Sequence, residues 1–320
     1  MSTARILITG VGGFVGAHMA RRIAERGDVA LGVGIDVPPP ATERFLTREW
    51  RADIRDAEAL KAVIGEAAPT AIVHLAGQSS AGLSFGQPLE TFRINTLGTS
   101  ALLEAVRSAA PEARVLVVGS GEVYGSLPAG TRVAEDAPFH PLSPYALSKA
   151  VADGIAESYS RQRLDVVRTR SFGHIGPGQT DRFLVPLLAR QIAEIEAGRG
   201  EDLVRVGNLD VTRDLTDVRD VVEAYLALLE RGRSGAVYNV CRGEGTRLAD
   251  VAHSLCERAR VPIRIEVDPA RVRPADIVYL VGDPSAIAAE TGWKAAIPLD
   301  ETLDAILEEW RSRSVEKGAS

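Results

Sequence analysis

The stretch Gly10-Val11-Gly12-Gly13-Phe14-Val15-Gly16 decides the fold. It follows an apolar run at residues 5–9 that is typical of a buried strand, and a helical pattern continues from it to about residue 26. Glycines in such a turn let backbone amides approach a pyrophosphate, and the N-terminus of the helix directs its partial positive charge at the same anion. The frame that fits is GxxGxxG on Gly10, Gly13 and Gly16, because a GxGxxG frame begun at Gly10 would place Val15 at its last glycine. The sequence therefore predicts a dinucleotide-phosphate site, and a tight turn without a ligand is the alternative.

Short apolar runs separated by helix-length segments fill the rest of the first half. Strands are predicted at residues 5–9, 29–36, 71–75, 114–119 and 165–169. Continuous Val/Ile/Leu runs that alternate with helices are typical of parallel strands covered on both faces, because each parallel return needs a crossover. We therefore predict an α/β fold with a doubly wound parallel sheet of the Rossmann type, whose nucleotide-binding domain spans residues 1–170.

The pattern changes after about residue 171, where Gly and Pro cluster at residues 176–178. Helices are predicted at residues 184–197, 218–230, 247–259 and 299–311, and strands at residues 204–206 and 236–240. This arrangement predicts a smaller C-terminal α/β lobe over residues 171–320 that binds substrate. A segment at about residues 218–240 is expected to return to the first domain.

Composition limits the classes of partner and compartment. The chain of 320 residues is 45% hydrophobic with a net charge of −6, and it has no Lys/Arg block of the kind that non-specific nucleic-acid binding needs. Cys241 and Cys256 are the only cysteines, which favours a reducing compartment. The first strand begins almost at once and no apolar run is long enough to span a membrane, so we expect a cytoplasmic protein without a membrane partner.

Two acidic positions bear on the dinucleotide. Asp36 ends the second predicted strand, where a carboxylate accepts hydrogen bonds from ribose hydroxyls and repels a 2′-phosphate. It favours NAD(H), while NADP(H) stays open, and an exposed acid at a strand end is the alternative. Asp53 and Ile54 are candidates to contact the adenine, although an ordinary acidic turn explains them equally well.

A proton-transfer pair is predicted on one helix. Ser143 and Pro144 are typical of a helix start, and the helix runs from there towards Gln162. Tyr145 and Lys149 are four residues apart, so their side chains emerge from the same face. A nearby ammonium favours the phenolate, and we therefore expect the pKa of Tyr145 to be lowered.

Ser120 and Glu122 follow the predicted strand at residues 114–119, at the edge where open α/β sheets bind ligands. Ser120 is a candidate to hydrogen-bond a carbonyl oxygen, with a turn-forming serine as the alternative. For Glu122 two interpretations stay open, abstraction of a proton next to a carbonyl or orientation of the substrate. Tyr124 and His74 are interpreted as structural, and no spacing of ligands predicts a metal site.

The phosphate turn, residues 74–77, Asn95 with 98–99, residues 120–125 and residues 145–149 together resemble the extended short-chain dehydrogenase/reductase family, over nearly the whole chain. The resemblance implies an NAD(P)-binding Rossmann domain and a small lobe that grips a nucleotide sugar. It implies catalytic roles for Ser120, Tyr145, Lys149 and Glu122. It assigns cofactor contacts to Gly10, Gly13, Phe14, Val15, Gly16, Asp36, Asp53, Ile54, Leu75, Ala76, Gly77, Tyr145, Lys149 and His174.

Segments of the second half resemble the branch that acts on GDP-mannose derivatives: residues 174–179, 206–210, 213–220, 273–276 and 291–294. Residues 217–220 and 238–241 are more similar to GDP-4-keto-6-deoxy-D-mannose reductases, which make GDP-D-rhamnose, than to GDP-mannose 4,6-dehydratases. The resemblance implies substrate contacts from Gln78, Ser79, Ser120, Gly173, Gln179, Arg190, Asn208, Arg213, Arg273 and Asp276. Arg213 and Arg273 would hold the diphosphate, with surface ion pairs as the alternative. The branch usually has Asn where Gly173 stands, which leaves the exact sugar open.

The expected reaction is hydride transfer from NAD(P)H to C4 of a GDP-linked 4-keto-6-deoxyhexose, with Tyr145 protonating the alkoxide. The enzymatic alternatives are a 4,6-dehydratase with Glu122 as its base, or an epimerase. An alternative from another class is a non-catalytic NAD-binding regulator, which the retained Ser, Tyr and Lys disfavour. Family analogy alone implies a homodimer through helices that flank the sheet.

Overall fold

The computed structural model describes residues 3–36, 39–271 and 277–318. Its main sheet is built from β1 (Arg5–Thr9), β2 (Val29–Gly34), β3 (Arg48–Arg51), β4 (Ala71–His74), β5 (Arg114–Ser120), β6 (Val166–Ser171) and β10 (Val237–Val240). These seven strands are all parallel and lie in the order β10-β6-β5-β4-β1-β2-β3. The chain leaves β1 towards β2 on one side and returns to β4 on the other, so the strand order reverses between β1 and β4. The predicted doubly wound α/β fold is confirmed.

The helices of the described chain divide between the two faces of this sheet and a separate apolar core beside it. They are α1 (Phe14–Glu25), α2 (Pro40–Glu43), α3 (Ala57–Ala67), α4 (Ala81–Gly86), α5 (Pro88–Phe92), α6 (Gly98–Ala109), α7 (Pro144–Arg161), α8 (Leu184–Glu196), α9 (Val218–Arg231), α10 (Leu248–Glu257), α11 (Ser285–Thr291) and α12 (Leu299–Gly318). A π-helical turn (Arg93–Leu97) precedes α6, and 3₁₀ turns lie at Gly121–Tyr124 and Pro269–Arg271. Side chains alternate along β1, so Ile6 and Ile8 pack beneath α1 and α9 while Leu7 packs beneath α3 and α6. Apolar burial on both faces holds the layers together.

A second set of short strands gathers beside the carboxyl edge of the main sheet. They are β7 (Gly173–Ile175), β8 (Leu203–Val206), β9 (Thr212–Asp217), β11 (Gly245–Arg247), β12 (Arg264–Val267) and β13 (Tyr279–Leu280). β9 pairs with β7, β11 and β13, while β8 pairs with β12. Helices α8, α10 and α12 share one apolar core with β8.

Several boundaries differ from the sequence-based expectation. β2 ends at Gly34 rather than at residue 36, and β3 was not predicted, because this edge strand is the charged segment Arg48–Arg51 with a neighbour on one side only. α12 continues to Gly318, supported by pairs such as Arg313–Glu309 one turn apart. β10 lies in the main sheet next to β6. The division of the chain at residue 170 stays a prediction.

The strand order indicates that a ligand would bind at the carboxyl edge of the sheet. In open α/β sheets the ligand lies beyond the carboxyl ends of the strands, where the strand order reverses. Here that place is bounded by the segments that follow β1, β4 and β5. No helix within residues 3–36, 39–271 and 277–318 combines the length and the apolarity that crossing a membrane requires.

Candidate active site

The turn after β1 has the shape of a phosphate cradle. Gly10 has a φ of +71°, which favours glycine, and a Cβ there would lie 2.8 Å from the Ala76 nitrogen. A Cβ on Gly16 would lie 2.6 Å from the Gly10 carbonyl oxygen, so the first turn of α1 packs directly on the loop. Gly13 is the N-cap of α1 and offers no side chain to its amides. These amides suit a pyrophosphate, and the residues present therefore fit a dinucleotide.

Phe14 connects the phosphate turn to the second lobe. Its ring stacks on His174 of β7 with 6.1 Å between ring centroids and 15° between planes. His174 Nδ1 donates to the Phe172 carbonyl at 3.0 Å, and burial lowers the pKa of His174. The predicted cofactor residues Phe14 and His174 are thus brought together, and Val15 follows half-buried in α1.

A chain of hydrogen bonds below the site fixes the ends of β1 and β4. The Ala76 amide donates to Thr9 Oγ1 at 3.1 Å, Thr9 Oγ1 lies 2.8 Å from His74 Nδ1, and His74 Nε2 lies 3.0 Å from Thr99 Oγ1. Thr99 donates its own proton to the Asn95 carbonyl at 2.7 Å, so it accepts from Nε2–H and His74 is the neutral Nε2 tautomer. Burial, and then the charge of Lys149, lowers the pKa of His74 to about 3. The structural interpretation of His74 agrees with these contacts.

Asn95, in the π-helical turn, shapes the loop that follows β4. Its Oδ1 accepts from the Gln78 amide at 2.8 Å, and its Nδ2 donates to the Gln78 carbonyl at 3.0 Å and to Ser148 Oγ at 2.9 Å. This amide links the loop to the helix of Tyr145 and Lys149. Sequence reasoning did not assign Asn95 to the site, and the only signal was its place in the motif shared with residues 98–99.

The predicted site residues of this loop differ in their exposure and in their hydrogen bonds. Leu75 and Ala76 are half-buried and Gly77 is exposed, with its Cβ position 3.6 Å from Lys149 Nζ. The Gln78 side chain is used within the loop, since its Nε2 donates to the Ser80 carbonyl at 2.9 Å and its Oε1 accepts from the Ser80 amide. Ser79 is exposed. Substrate contacts from Gln78 and Ser79 stay predictions.

Ser120, Tyr145 and Lys149 meet at the carboxyl end of β5. Ser143 caps α7 by accepting from the Ala146 amide at 3.0 Å, which sets the helix so that Tyr145 lies in its first turn. The hydroxyl groups of Ser120 and Tyr145 are hydrogen-bonded, and both side chains are more than nine-tenths buried. Lys149 Nζ donates to the Val118 carbonyl at 2.9 Å. Ser120 and Tyr145 thus lie together at the end of β5, and Lys149 binds the same strand two residues before Ser120.

The electrostatics of this group differ from the sequence-based expectation. Burial raises the pKa of Tyr145, the Glu122 carboxylate raises it further, and the hydrogen bond with Ser120 lowers it. The prediction of a lowered phenol pKa is wrong here, because the Lys149 ammonium donates to Val118 and burial dominates at the phenol. Burial also lowers the pKa of Lys149 to about 8. Tyr145 is therefore protonated at neutral pH, which equips it to donate a proton.

Glu122 and Tyr124 share the 3₁₀ turn after Ser120 but have different surroundings. Glu122 is half-buried, with its carboxylate close enough to Tyr145 to raise the pKa of the phenol. Tyr124 is buried, donates to Asn239 Oδ1 at 2.9 Å and accepts from Arg170 Nη1 at 2.8 Å. Glu122 therefore lies near the phenol of Tyr145, whereas Tyr124 holds the turn to β6 and β10.

The acids of the segment 217–220 join α9 to the second lobe. Asp217 caps α9 by accepting from the Arg219 amide at 2.8 Å, and it also accepts from Thr302 Oγ1 at 2.7 Å. Asp220 Oδ2 accepts from the amides of residues 296 and 297 at 2.8 Å each. This part of the motif therefore performs a structural task, tying the main sheet to the segment before α12.

The predicted substrate residues near β7 and α8 are closely packed. A Cβ on Gly173 would lie 2.7 Å from the Asp214 carbonyl oxygen, so β9 leaves no room for a side chain at that position. Gln179 is buried and donates to the His174 carbonyl at 3.1 Å, and among the described residues its Oε1 atom has no hydrogen-bond partner. Arg190 forms ion pairs with Asp181 and Glu194, each at 3.0 Å. Gln179 therefore lies next to His174, whereas the guanidinium of Arg190 is held by its two ion pairs.

Two of the remaining predicted substrate residues, Asn208 and Arg213, lie near and in β9. Asn208 Oδ1 accepts from the Asp210 amide at 2.9 Å, and Arg213 Nη1 donates to the Thr212 carbonyl at 3.0 Å. Arg273 and Asp276 lie outside the described residues. The assignment of all four to the diphosphate or the sugar stays a prediction.

The predicted adenosine contacts lie beyond β2 and β3. Asp36 is exposed, two residues past the end of β2. The Asp53 carboxylate accepts from Arg55 Nε at 2.9 Å, and Arg55 also donates to Glu90 at 2.6 Å. Ile54 is buried against Gly98, whose Cβ would lie 2.9 Å from it. Within the described part of the chain, no group of His, Cys, Asp and Glu side chains is arranged to hold a metal ion.

Comparison with known proteins places this geometry in context. The family model described as GDP-mannose 4,6 dehydratase matches residues 7–306. The GDP-6-deoxy-D-mannose reductase of Pseudomonas aeruginosa is 37% identical over 313 residues, covering 97% of this chain and 98% of that protein. The GDP-mannose 4,6-dehydratase of Vibrio cholerae is 28% identical, covering 93% and 91%. The solved structure of RMD from Pseudomonas aeruginosa complexed with NADPH has a TM-score of 0.85 at 35% identity, covering 97% of this chain and 100% of that one.

Proposed function

Because the chain belongs to the GDP-mannose 4,6-dehydratase family, within the extended short-chain dehydrogenases/reductases, we propose that it reduces the 4-keto group of a GDP-4-keto-6-deoxyhexose. The product is a GDP-6-deoxyhexose of the GDP-D-rhamnose type. The chain is a nucleotide-sugar oxidoreductase that uses a nicotinamide dinucleotide. The observation that carries the proposal is the buried Tyr145, which burial keeps protonated and which Ser120 orients by a hydrogen bond.

Tyr145 acts as the general acid. When bound, the reduced nicotinamide supplies the hydride to C4 of the keto sugar. Tyr145 gives its proton to the oxygen that becomes an alkoxide, and Ser120 donates a hydrogen bond to the same oxygen. Lys149, which donates to the Val118 carbonyl in this structure, would hold the ribose hydroxyls of the bound dinucleotide and stabilise the phenolate that remains. Each role uses a group that already lies at the carboxyl end of β5.

Cofactor binding divides between two regions of the chain. The turn from Gly10 to Gly16 and the N-terminus of α1 hold the pyrophosphate, because close packing leaves their amides accessible and a Cβ would block the approach. His174, stacked on Phe14, borders the nicotinamide half. Asp36 accepts hydrogen bonds from the adenosine ribose and favours NADH.

The test is to supply GDP-4-keto-6-deoxymannose and GDP-mannose separately and to follow nicotinamide absorbance while identifying the products. Oxidation of NADH or NADPH with the keto sugar alone is expected. Tyr145→Phe should reduce turnover by about 10²–10⁴-fold, the usual contribution of a positioned acid, while the Kd for the reduced dinucleotide stays within about twofold. Turnover of that variant near the wild-type rate would contradict the proposal.

A second candidate is a 4,6-dehydratase, favoured by the proximity of the Glu122 carboxylate to Tyr145. Such an enzyme oxidises and re-reduces the same sugar, and it needs a base next to the carbonyl, for which Glu122 is placed. Conversion of GDP-mannose to the keto sugar without added cofactor would establish it. Glu122→Gln should then abolish that conversion, whereas the same variant of a reductase keeps most of its turnover.

A homodimer is proposed through the helices that flank the sheet. Leu89, Leu97, Leu147 and Val151 lie on α5, the π-helical turn and α7, and each exposes between 40% and 74% of its surface. Clustered exposure of this kind is typical of a protein interface. Light scattering of the wild type and of Leu97→Glu checks this, with a dimer expected for the first and a monomer for the second.

The cytoplasm is the proposed compartment. Cys241 is buried, Cys256 is half-buried, and neither forms a disulfide. Free thiols persist in a reducing compartment, and fractionation of cells that express the chain tests this placement.

A further inference from the structure

Arg51 lies at the outer end of the main sheet. It is the last residue of β3, and its neighbour on β2 is Gly34, two residues before Asp36. Arg51 is exposed, and in the described ranges of the chain no acidic side chain forms an ion pair with it. The other arginine near this edge, Arg55, is held by Asp53 and Glu90.

Strand pleating places Arg51 on the sheet face that carries α1. Its neighbour Trp50 packs with Leu31 and Val33 on the opposite face, and Trp50 Nε1 donates to Glu66 of α3 at 2.8 Å. Successive side chains of a strand point to opposite faces, so Arg51 points away from α3. The N-terminus of α1, which cradles the pyrophosphate, belongs to the same face as Arg51.

The surface beside Arg51 has room for a ligand. Among the residues that the structure describes, a Cβ on Gly34 would have one atom near it, the Asp36 carbonyl oxygen at 3.8 Å. One position earlier on this face, a Cβ on Gly32 would lie 2.8 Å from the Val11 side chain and 3.1 Å from Leu46. Protein atoms therefore fill the face at Gly32 and leave it open at Gly34, between the phosphate turn and Asp36.

We propose that Arg51 binds the 2′-phosphate of NADPH, so that this site accepts both reduced dinucleotides. Asp36 accepts hydrogen bonds from the ribose of NADH but repels a 2′-phosphate, and the guanidinium of Arg51 offsets that repulsion with paired N–H donors. The open position at Gly34 gives the phosphate a place between these two side chains. The inference rests on the proposed function only in requiring a nicotinamide dinucleotide at the turn Gly10–Gly16.

Direct titration of NADH and NADPH, read by the fluorescence of the reduced nicotinamide without any sugar, tests the assignment. Arg51→Gln should weaken NADPH binding by about 10-fold or more, since a hydrogen bond to a charged group contributes about 1.5–3 kcal/mol, while the Kd for NADH stays within about twofold. Arg48→Gln is the matched control, because Arg48 lies on the same strand but pairs with Glu66 on the opposite face. Asp36→Asn should tighten NADPH binding and weaken NADH binding.

The outcomes separate this inference from the function on which it rests. Equal losses of NADH and NADPH binding in Arg51→Gln would mean that Arg51 only supports the strand edge or the neighbouring Glu49, and would overturn the assignment. Tight NADH binding with no NADPH binding in the wild type would also overturn it and leave the reductase intact. Binding of neither dinucleotide would remove the proposed function and this inference with it.

Discussion

Replacement of Lys149 by methionine should stabilise the fold while it abolishes turnover. Burial lowers the pKa of Lys149 from its ordinary 10.5 to about 8. The ammonium is therefore less stable in the folded chain than in water, and its burial destabilises the fold. Because one pKa unit is worth about 1.36 kcal/mol, the cost at neutral pH is about 3 kcal/mol as an upper limit, since the side chain is only partly buried. Allowing for the lost hydrogen bond to Val118, we expect Lys149→Met to gain about 1–2 kcal/mol of stability.

The stability difference between Lys149→Met and the wild type should depend on pH. The folded-state pKa of Lys149 lies below the unfolded-state value, so the destabilisation is fully present below pH 8 and is relieved as the pH rises from about 8 to 10.5. The free energies of unfolding of Lys149→Met and of the wild type should therefore differ most at pH 7 and converge by about pH 10.5. The variant lacks the group whose titration produces this convergence.

Thermal melts and urea titrations at pH 7, 9 and 10 measure the difference, which at pH 7 should raise the melting temperature by about 2–5 °C for a chain of this length. Lys61→Met on the exposed side of α3 is the control and should change stability by less than about 0.5 kcal/mol. Turnover of Lys149→Met with the keto sugar should fall by at least about 100-fold. A destabilised Lys149→Met, or a stability difference that is constant with pH, would refute the account of a buried ammonium.

Three further variants test the supports of the site by their stability or cofactor binding. Because the pKa of His74 is about 3, the wild type should lose about 1.4 kcal/mol of stability per pH unit as the pH falls below 6.5, and denaturation of His74→Gln should lack that part of the slope. Asp220→Ala leaves the amides of residues 296–297 without their acceptor, so its melting curve should report a loss of about 2–4 kcal/mol, much of which Asp220→Asn restores. Gly16→Ala forces a Cβ against the phosphate turn and should weaken NADH binding by about 10-fold or more, whereas Gly65→Ala, in open space on α3, should leave the Kd unchanged and stabilise the helix by up to about 1 kcal/mol.

The sequence pattern was sufficient to predict features that depend on residues close together in the chain. The turn from Gly10 to Gly16 could be placed because the strand before it and the helix after it have strong periodicity of their own. Tyr145 and Lys149 could be paired because four residues make one helical turn. The edge strand β3 escaped prediction, since charged residues in a strand with one neighbour carry little apolar alternation.

Contacts between distant segments could not be read from the same pattern. Asn95 holds the Gln78 backbone and Ser148 together, and Thr9 meets Thr99 through His74, although these residues lie on separate strands and helices. The pKa of Tyr145 depends on burial, which the spacing of Tyr145 and Lys149 does not contain. Helical spacing thus placed Tyr145 and Lys149 one turn apart on the same helix, as observed, but predicted the direction of the pKa shift wrongly.

The direction of that shift bears on which reaction the site favours. A phenol kept neutral by burial is ready to donate a proton when hydride reaches a carbonyl, whereas sugar oxidation requires it to accept one first. In the oxidative direction the nearby Glu122 carboxylate makes the phenolate still less favourable. Ser120 supports the reductive direction, because a hydroxyl that bonds Tyr145 can move its hydrogen bond to the developing alkoxide without a change of charge. A neutral Tyr145 therefore matches the proposed reduction, and the predicted sugar contacts include Gly173, which lies directly against β9.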